Sequence, residues 1–201
     1  MNIRDEKFYY NDLTYFISER ILECINEGIK SNWGNVYWPY PTKILNDSYS
    51  VEYKWEMHRV KQDHRWDVVG YAGPNESFEP SVEFHFLLKK GIWSRKAGIS
   101  KAAIINVVAH ELHHIAQGYS GDSRNLDEEK PYEYFLLPHE IEAFHVGFRA
   151  ESDFTGHSMK KLMKEYLSGW IAAKDITKKQ SNTIIDAWLK PQWSLVNVDL
   201  A

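Results

Sequence analysis

Ile104-Ile105-Asn106-Val107-Val108-Ala109-His110-Glu111-Leu112-His113-His114 is the stretch that decides how this chain folds. Ala103, Ile104, Val107, Val108, Leu112 and Ile115 recur at helical spacing, and Ser100 and Gly118 stand where an N-cap and a C-terminal stop belong. A buried helix is therefore expected over Lys101 to Gln117. Inside it lies the pattern H-E-x-x-H. Two imidazoles four residues apart leave one face of a helix one turn apart, so His110 and His114 can both reach a single Zn²⁺ at about 2.0 to 2.1 Å. Glu111 is turned to the neighbouring side, where a carboxylate reaches a water beside the ion and acts as a general base instead of a ligand. His113 points about 100° away from His114 and is expected next to the site or at the surface.

Chance explains this pattern poorly. With nine His in 201 residues, roughly 0.03 matches are expected anywhere in the chain. The apolar turn and a half before His110 also sinks the segment into the protein, where an unsatisfied His pair and carboxylate would cost several kcal/mol. A metal ion satisfies them. Such a zinc centre needs a third protein ligand and an open position for water.

Pro138-His139-Glu140-Ile141-Glu142-Ala143-Phe144-His145 supplies four possible ligands within two turns. Pro138 suits the first turn of a helix running to about Glu151. At these residues the sequence resembles the gluzincin branch of the zincin metallopeptidases, in which a second helix carries E-x-x-A followed by Asp or Asn. The resemblance implies an α+β zincin-like fold and hydrolysis of peptide bonds in a peptide or protein substrate. It also implies His110, His114 and Glu140 as zinc ligands and Glu111 as catalytic base. Phe144 holds the place of the Asp or Asn that supports a ligand His in that family, so support must come from elsewhere, and Glu142 stands as a rival to Glu140. The two carboxylates are about 200° apart on a helix and cannot both reach one ion. With Ile141, Phe144 and Phe148 facing the core, Glu142 is expected to turn toward Arg149 and solvent, and His139 and His145 to play at most a supporting part. A metzincin would require Gly and His where Gln117 and Ser120 stand. A deformylase would require a different setting for Cys24.

Outward from these motifs, Leu13, Phe16, Ile17, Ile21, Cys24 and Ile25 form the stripe of a first helix, about Asp12 to Lys30, which Gly28 brings to its end. Asn32 to Asn46, rich in Trp, Tyr and Pro, reads as a loop or short irregular strand. Tyr49 to Val60 alternates apolar and polar residues, Arg65 to Tyr71 reads as a second strand, and Val82 to Leu88 alternates after a turn at Gly73 to Ser77. These segments are expected to form a small mixed or antiparallel sheet packed on the H-E-x-x-H helix. The zincin resemblance implies an edge strand along the cleft, where an extended substrate would pair, and Pro80 to Lys89 would fill that place, with an ordinary sheet strand as the equal alternative. Helices about Ser158 to Ala173 and Thr177 to Leu189 complete a largely helical C-terminal half. Tyr119, Tyr132, Tyr134 and His157 lie near the motifs, where one could stabilise an oxyanion, although packing is the commoner duty. His58, His64 and His85 have no ligand-like spacing and read as structural.

Composition bounds the rest. The chain is 43% hydrophobic and 26% charged, with 24 Lys plus Arg against 28 Asp plus Glu, and the charges are scattered, which argues against a nucleic-acid partner. One cysteine forms no internal disulfide, and 201 residues can bury a core without a structural metal. No continuous apolar run marks Met1 to Tyr10 as a secretory signal or any segment as a membrane span, so a cytoplasmic location with no membrane partner is expected. Residues 1–201 are read as a single domain. Eight Trp and twelve Tyr suit partner contacts as well as cores, so a structural or assembly protein with a non-catalytic zinc site, for example in a phage particle, is the alternative to a metallopeptidase.

Overall fold

The computed structural model describes residues 14–23, 31–38, 49–60, 67–74, 80–89, 101–117 and 130–191. They divide between two compact units, Met1–Gly121 and Asp122–Ala201. Cys24, Gly28, His64, Ser100, Gly118 and Tyr119 lie outside the described residues.

In the first unit, helix α1 (residues 14–23) buries Thr14, Ile17, Ser18 and Ile21. That is the i, i+3, i+4, i+7 stripe of a surface helix. Phe16, expected in the stripe, is 45% exposed, because it lies about 150° round from the stripe's centre. Its ring faces the Arg20 guanidinium at 5.4 Å. Ser18 is accommodated on the buried face by donating its hydroxyl proton to the Thr14 carbonyl at 2.7 Å. Glu19 forms an ion pair with Lys101, at the start of helix α2 (Lys101–Ala116).

Among the described residues four strands form one mixed sheet: β1 (Ser31–Trp38), β2 (Tyr49–Val60), β3 (Asp67–Pro74) and β4 (Pro80–Lys89), in the order β1-β2-β4-β3. β1 runs antiparallel to β2, with Gly34 opposite Tyr53 and Val36 opposite Val51. It is a regular strand where a loop or an irregular strand was expected. β2 runs parallel to β4, with Trp55 opposite Phe84, and β3 returns antiparallel to β4, with Gly70 opposite Phe84. Of the two readings of Pro80–Lys89, the edge strand is corrected and the ordinary sheet strand holds. β4 is hydrogen-bonded to a neighbour on each side, so its backbone has no row of groups left for a substrate strand. The outer strands of this sheet are β1 and β3.

Helix α2 lies against β3 and β4. Ile104, Ile105, Val108, Ala109, Leu112 and Ile115 are all buried, a wider apolar surface than one stripe. Ile105 and Ala109 join it, while Ala103 and Val107 are only half-buried. A helix covered on most of its circumference has to carry its polar residues inside as well.

The second unit is helical among its described residues: α3 (Pro131–Tyr134), α4 (Pro138–Thr155), α5 (Met159–Ala173) and α6 (Lys178–Leu189). Local chemistry marks the boundaries. Pro138 occupies the first turn of α4, and Gly156 ends it at φ 72°, a left-handed conformation open to glycine at little cost. Ser158 caps α5, and Thr177 with Gln180 forms a capping box on α6. The core is aromatic and centred on Trp188. Phe144 stacks on its ring at 4.2 Å between centroids, Phe135 meets it edge-on at 5.5 Å, and the Trp188 Nε1–H donates to the Phe135 carbonyl at 2.9 Å. Phe148, Leu162, Met163, Leu167, Ile184 and Ile185 close around them.

His145 joins α4 to α6, its Nδ1–H donating to the Trp188 carbonyl at 2.7 Å. Burial holds this imidazole below its ordinary pKa of 6.5, outweighing the Trp188 carbonyl, which favours the charged form, and Arg149 adds to the lowering. Unfolding therefore takes up a proton at His145 once the pH is below 6.5. Its contribution to stability is full above that value and is lost as the pH falls through the lower, folded value. Denaturant unfolding followed from about pH 7.5 to 5.5 is expected to show stability declining with acid, more steeply for the natural chain than for His145→Gln. In the same assay, Thr177→Ala is expected to cost about 1 kcal/mol through the lost cap. Trp188→Ala is expected to cost about 3 to 5 kcal/mol through the cavity it leaves.

Candidate metal centre

Helix α2 brings two of the expected ligands together within the first unit. One turn apart on the same face, His110 and His114 turn their rings edge to face, with centroids 4.7 Å apart and planes at 81°. Their Nε2 atoms converge to 3.1 Å. Two nitrogens bound to one tetrahedral zinc ion at about 2.05 Å would stand about 3.3 Å apart, so the pair is spaced as a shared cation requires. Two bare lone pairs at that distance repel. Either a proton on one Nε2 or a cation between the two must hold them, and both rings are buried.

The far side of His114 is also engaged. Its Nδ1 lies 2.9 Å from the Gln117 Oε1, an acceptor oxygen, so Nδ1 carries the proton and the lone pair stays on Nε2, facing His110. Sequence reasoning gave Gln117 no role. The available signal was its place three residues beyond His114, within reach on the same face. Phe144 is packed on Trp188 in the core of the second unit.

Glu111 is buried, with its Oε1 4.0 Å from the His110 Nε2. Its carboxylate thus stands beside the converging nitrogens, near enough to act on a water held there and set aside from the ligand face, as the 100° step of the helix demands. His113 is buried as well, which removes the surface placement expected for it.

In the second unit, Glu140 sits in the first turn of α4 and is buried, with Oε1 3.6 Å from the Nε2 of His139. Glu142 is 0% exposed, which corrects the expectation that it turns to solvent. α4 buries Glu140, Glu142, Ala143, Phe144, Gly147, Phe148 and Ala150, so its covered surface extends well beyond the Phe144 and Phe148 stripe. His145 gives its Nδ1–H to the Trp188 carbonyl and is not among the converging donors His110, His114 and Glu140. Tyr132 and Tyr134 pack against the aromatic core, and His157 is exposed beside Lys161. His58 and His85 fall on β2 and β4.

His110, His114 and Glu140 make up a buried His/His/Glu donor group that could hold a metal ion. Two imidazoles and one carboxylate are the donor chemistry of a zinc centre with one position left open. No helix among the described residues is long and apolar enough to cross a membrane. Compared with protein-family models, curated proteins and solved structures, the chain matches none.

Elemental analysis of protein purified without added metal is expected to find about one zinc per chain. The double variant His110→Ala, His114→Ala is expected to find none. Stoichiometric metal in that variant would place the site elsewhere.

Proposed function

We propose that this chain is a zinc-dependent peptide hydrolase with a zincin-like α+β fold. His110, His114 and Glu140 are the ligands and Glu111 the general base. The observation that carries the reading is the convergence of the two Nε2 atoms at 3.1 Å with the Glu111 carboxylate 4.0 Å from one of them. A peptide as substrate rests on the resemblance of the H-E-x-x-H and downstream Glu-x-x-Ala pattern to the gluzincins. In this reading residues 1–201 work as one domain.

When bound, zinc would polarise the scissile carbonyl and lower the pKa of water at the open position. The chain's own residues do the rest. Glu111, held beside that position, takes a proton from the water as the water oxygen bonds to the carbonyl carbon. It then gives the proton to the nitrogen as the carbon–nitrogen bond breaks, so the amine leaves neutral and the carboxylate is restored. Burial of Glu111 keeps bulk water from competing for that proton. His110 and His114 fix the centre on a rigid helix, which places the carboxylate by the backbone and not by a mobile loop.

Glu111→Gln preserves size and removes basicity. Zinc content is expected to stay at the natural level while hydrolysis of an unstructured protein such as casein falls by at least about a hundredfold. Bound zinc with no hydrolysis by the natural chain would favour a stabilising site in a structural protein. Glu140→Ala is expected to weaken zinc binding strongly, and Glu142→Gln to change it little. Loss of zinc from the Glu142 variant alone would reassign the third ligand.

A further inference from the structure

Resting on the reading of His114 as a metal ligand, we infer that Gln117 is its positioning residue, fixing the ring's tautomer and direction so that Nε2 is ready for a cation before one arrives. The amide oxygen lies 2.9 Å from the His114 Nδ1. It is held there on two counts. The backbone N–H of Gln117 donates to the His113 carbonyl at 2.9 Å, which carries the helical turn one residue past the end of α2. The residue is also buried, so water does not compete for the contact.

The consequence follows from the inventory of donors. A carbonyl oxygen only accepts, so His114 must carry its proton on Nδ1, and Nε2 is left with the lone pair that a metal needs. That lone pair points at the His110 Nε2, 3.1 Å away. Without Gln117, Nδ1 would have to find another acceptor or lose its proton to Nε2, the tautomer that blocks the metal. A neutral amide does this without adding negative charge. With two neutral imidazoles, one carboxylate and a divalent ion, the centre keeps a net charge of +1, which favours a polarised carbonyl oxygen more than a carboxylate in the place of Gln117 would.

The test uses the full chain, first metal-free. Long-range proton–nitrogen NMR of the natural protein is expected to show His114 protonated at Nδ1 and bare at Nε2. Gln117→Met keeps the length and removes the acceptor, and Gln117→Asn keeps the amide but draws it back by one methylene. Both are expected to shift His114 toward the Nε2–H tautomer and to weaken zinc binding by about 10- to 100-fold in chelator competition. Gln117→Glu restores an acceptor oxygen and is expected to return both the tautomer and the affinity. A natural protein with His114 protonated at Nε2, or Met and Asn variants with unchanged tautomer and zinc affinity, would overturn the inference. Since the tautomer is read without metal, a natural chain that takes up no zinc yet shows the expected tautomers would overturn the metal-site reading instead.

Discussion

A buried helix that carries two histidines on one face is a constraint before it is a site. Helix α2 buries Ile104, Ile105, Val108, Ala109, Leu112 and Ile115 along with both imidazoles, and an imidazole pair in such surroundings has to be satisfied from within the protein. The Nε2 atoms at 3.1 Å show how nearly the helix meets that demand alone. Backbone geometry aims both nitrogens at one point, and Gln117 fixes the remaining nitrogen of His114. Two bare lone pairs cannot face each other at that distance, so either the N–H of one ring or a metal ion lies between them, and the rest of the centre can be understood from that need. Glu111 stands to the side, its carboxylate 4.0 Å from the His110 Nε2.

The second unit answers to a different interaction. Trp188 stacks on Phe144, meets Phe135 edge-on and donates its indole proton to the Phe135 carbonyl. This fixes the rotation of α4 about its own axis. Phe144 goes to the aromatic core, His145 goes to the Trp188 carbonyl, and Glu140 keeps the first turn. Position 144 is thereby given to packing, and the Nδ1 of His114 is met within its own helix by Gln117.

The sheet adds a topological point. β2 and β4 run parallel with β3 returning on the outside, so the chain leaves a gap after β2 and fills it last with β4. The strand before the H-E-x-x-H helix in sequence is thus enclosed, while β3, one step earlier, lies at the border and against α2.

The sequence by itself determined whatever depends on short-range geometry. Helical spacing placed His110 and His114 on one face, alternation marked Tyr49–Val60 and Pro80–Lys89 as strands, and Pro138, Ser158 and Thr177 stand at helix starts as capping chemistry requires. Each of these follows from the backbone within a turn or two of the residue concerned. Tertiary structure decided the order of the strands, the burial of Glu142, the exposure of Phe16 and the partners of His145 and Gln117. Strand order and burial depend on segments far apart in the chain, and periodicity records only that a residue has a side, not what covers it. Gln117 is the instructive case. Its spacing from His114 was open to view, but a side-chain amide has many rotamers, and only the packing around the end of α2 selects the one that reaches Nδ1.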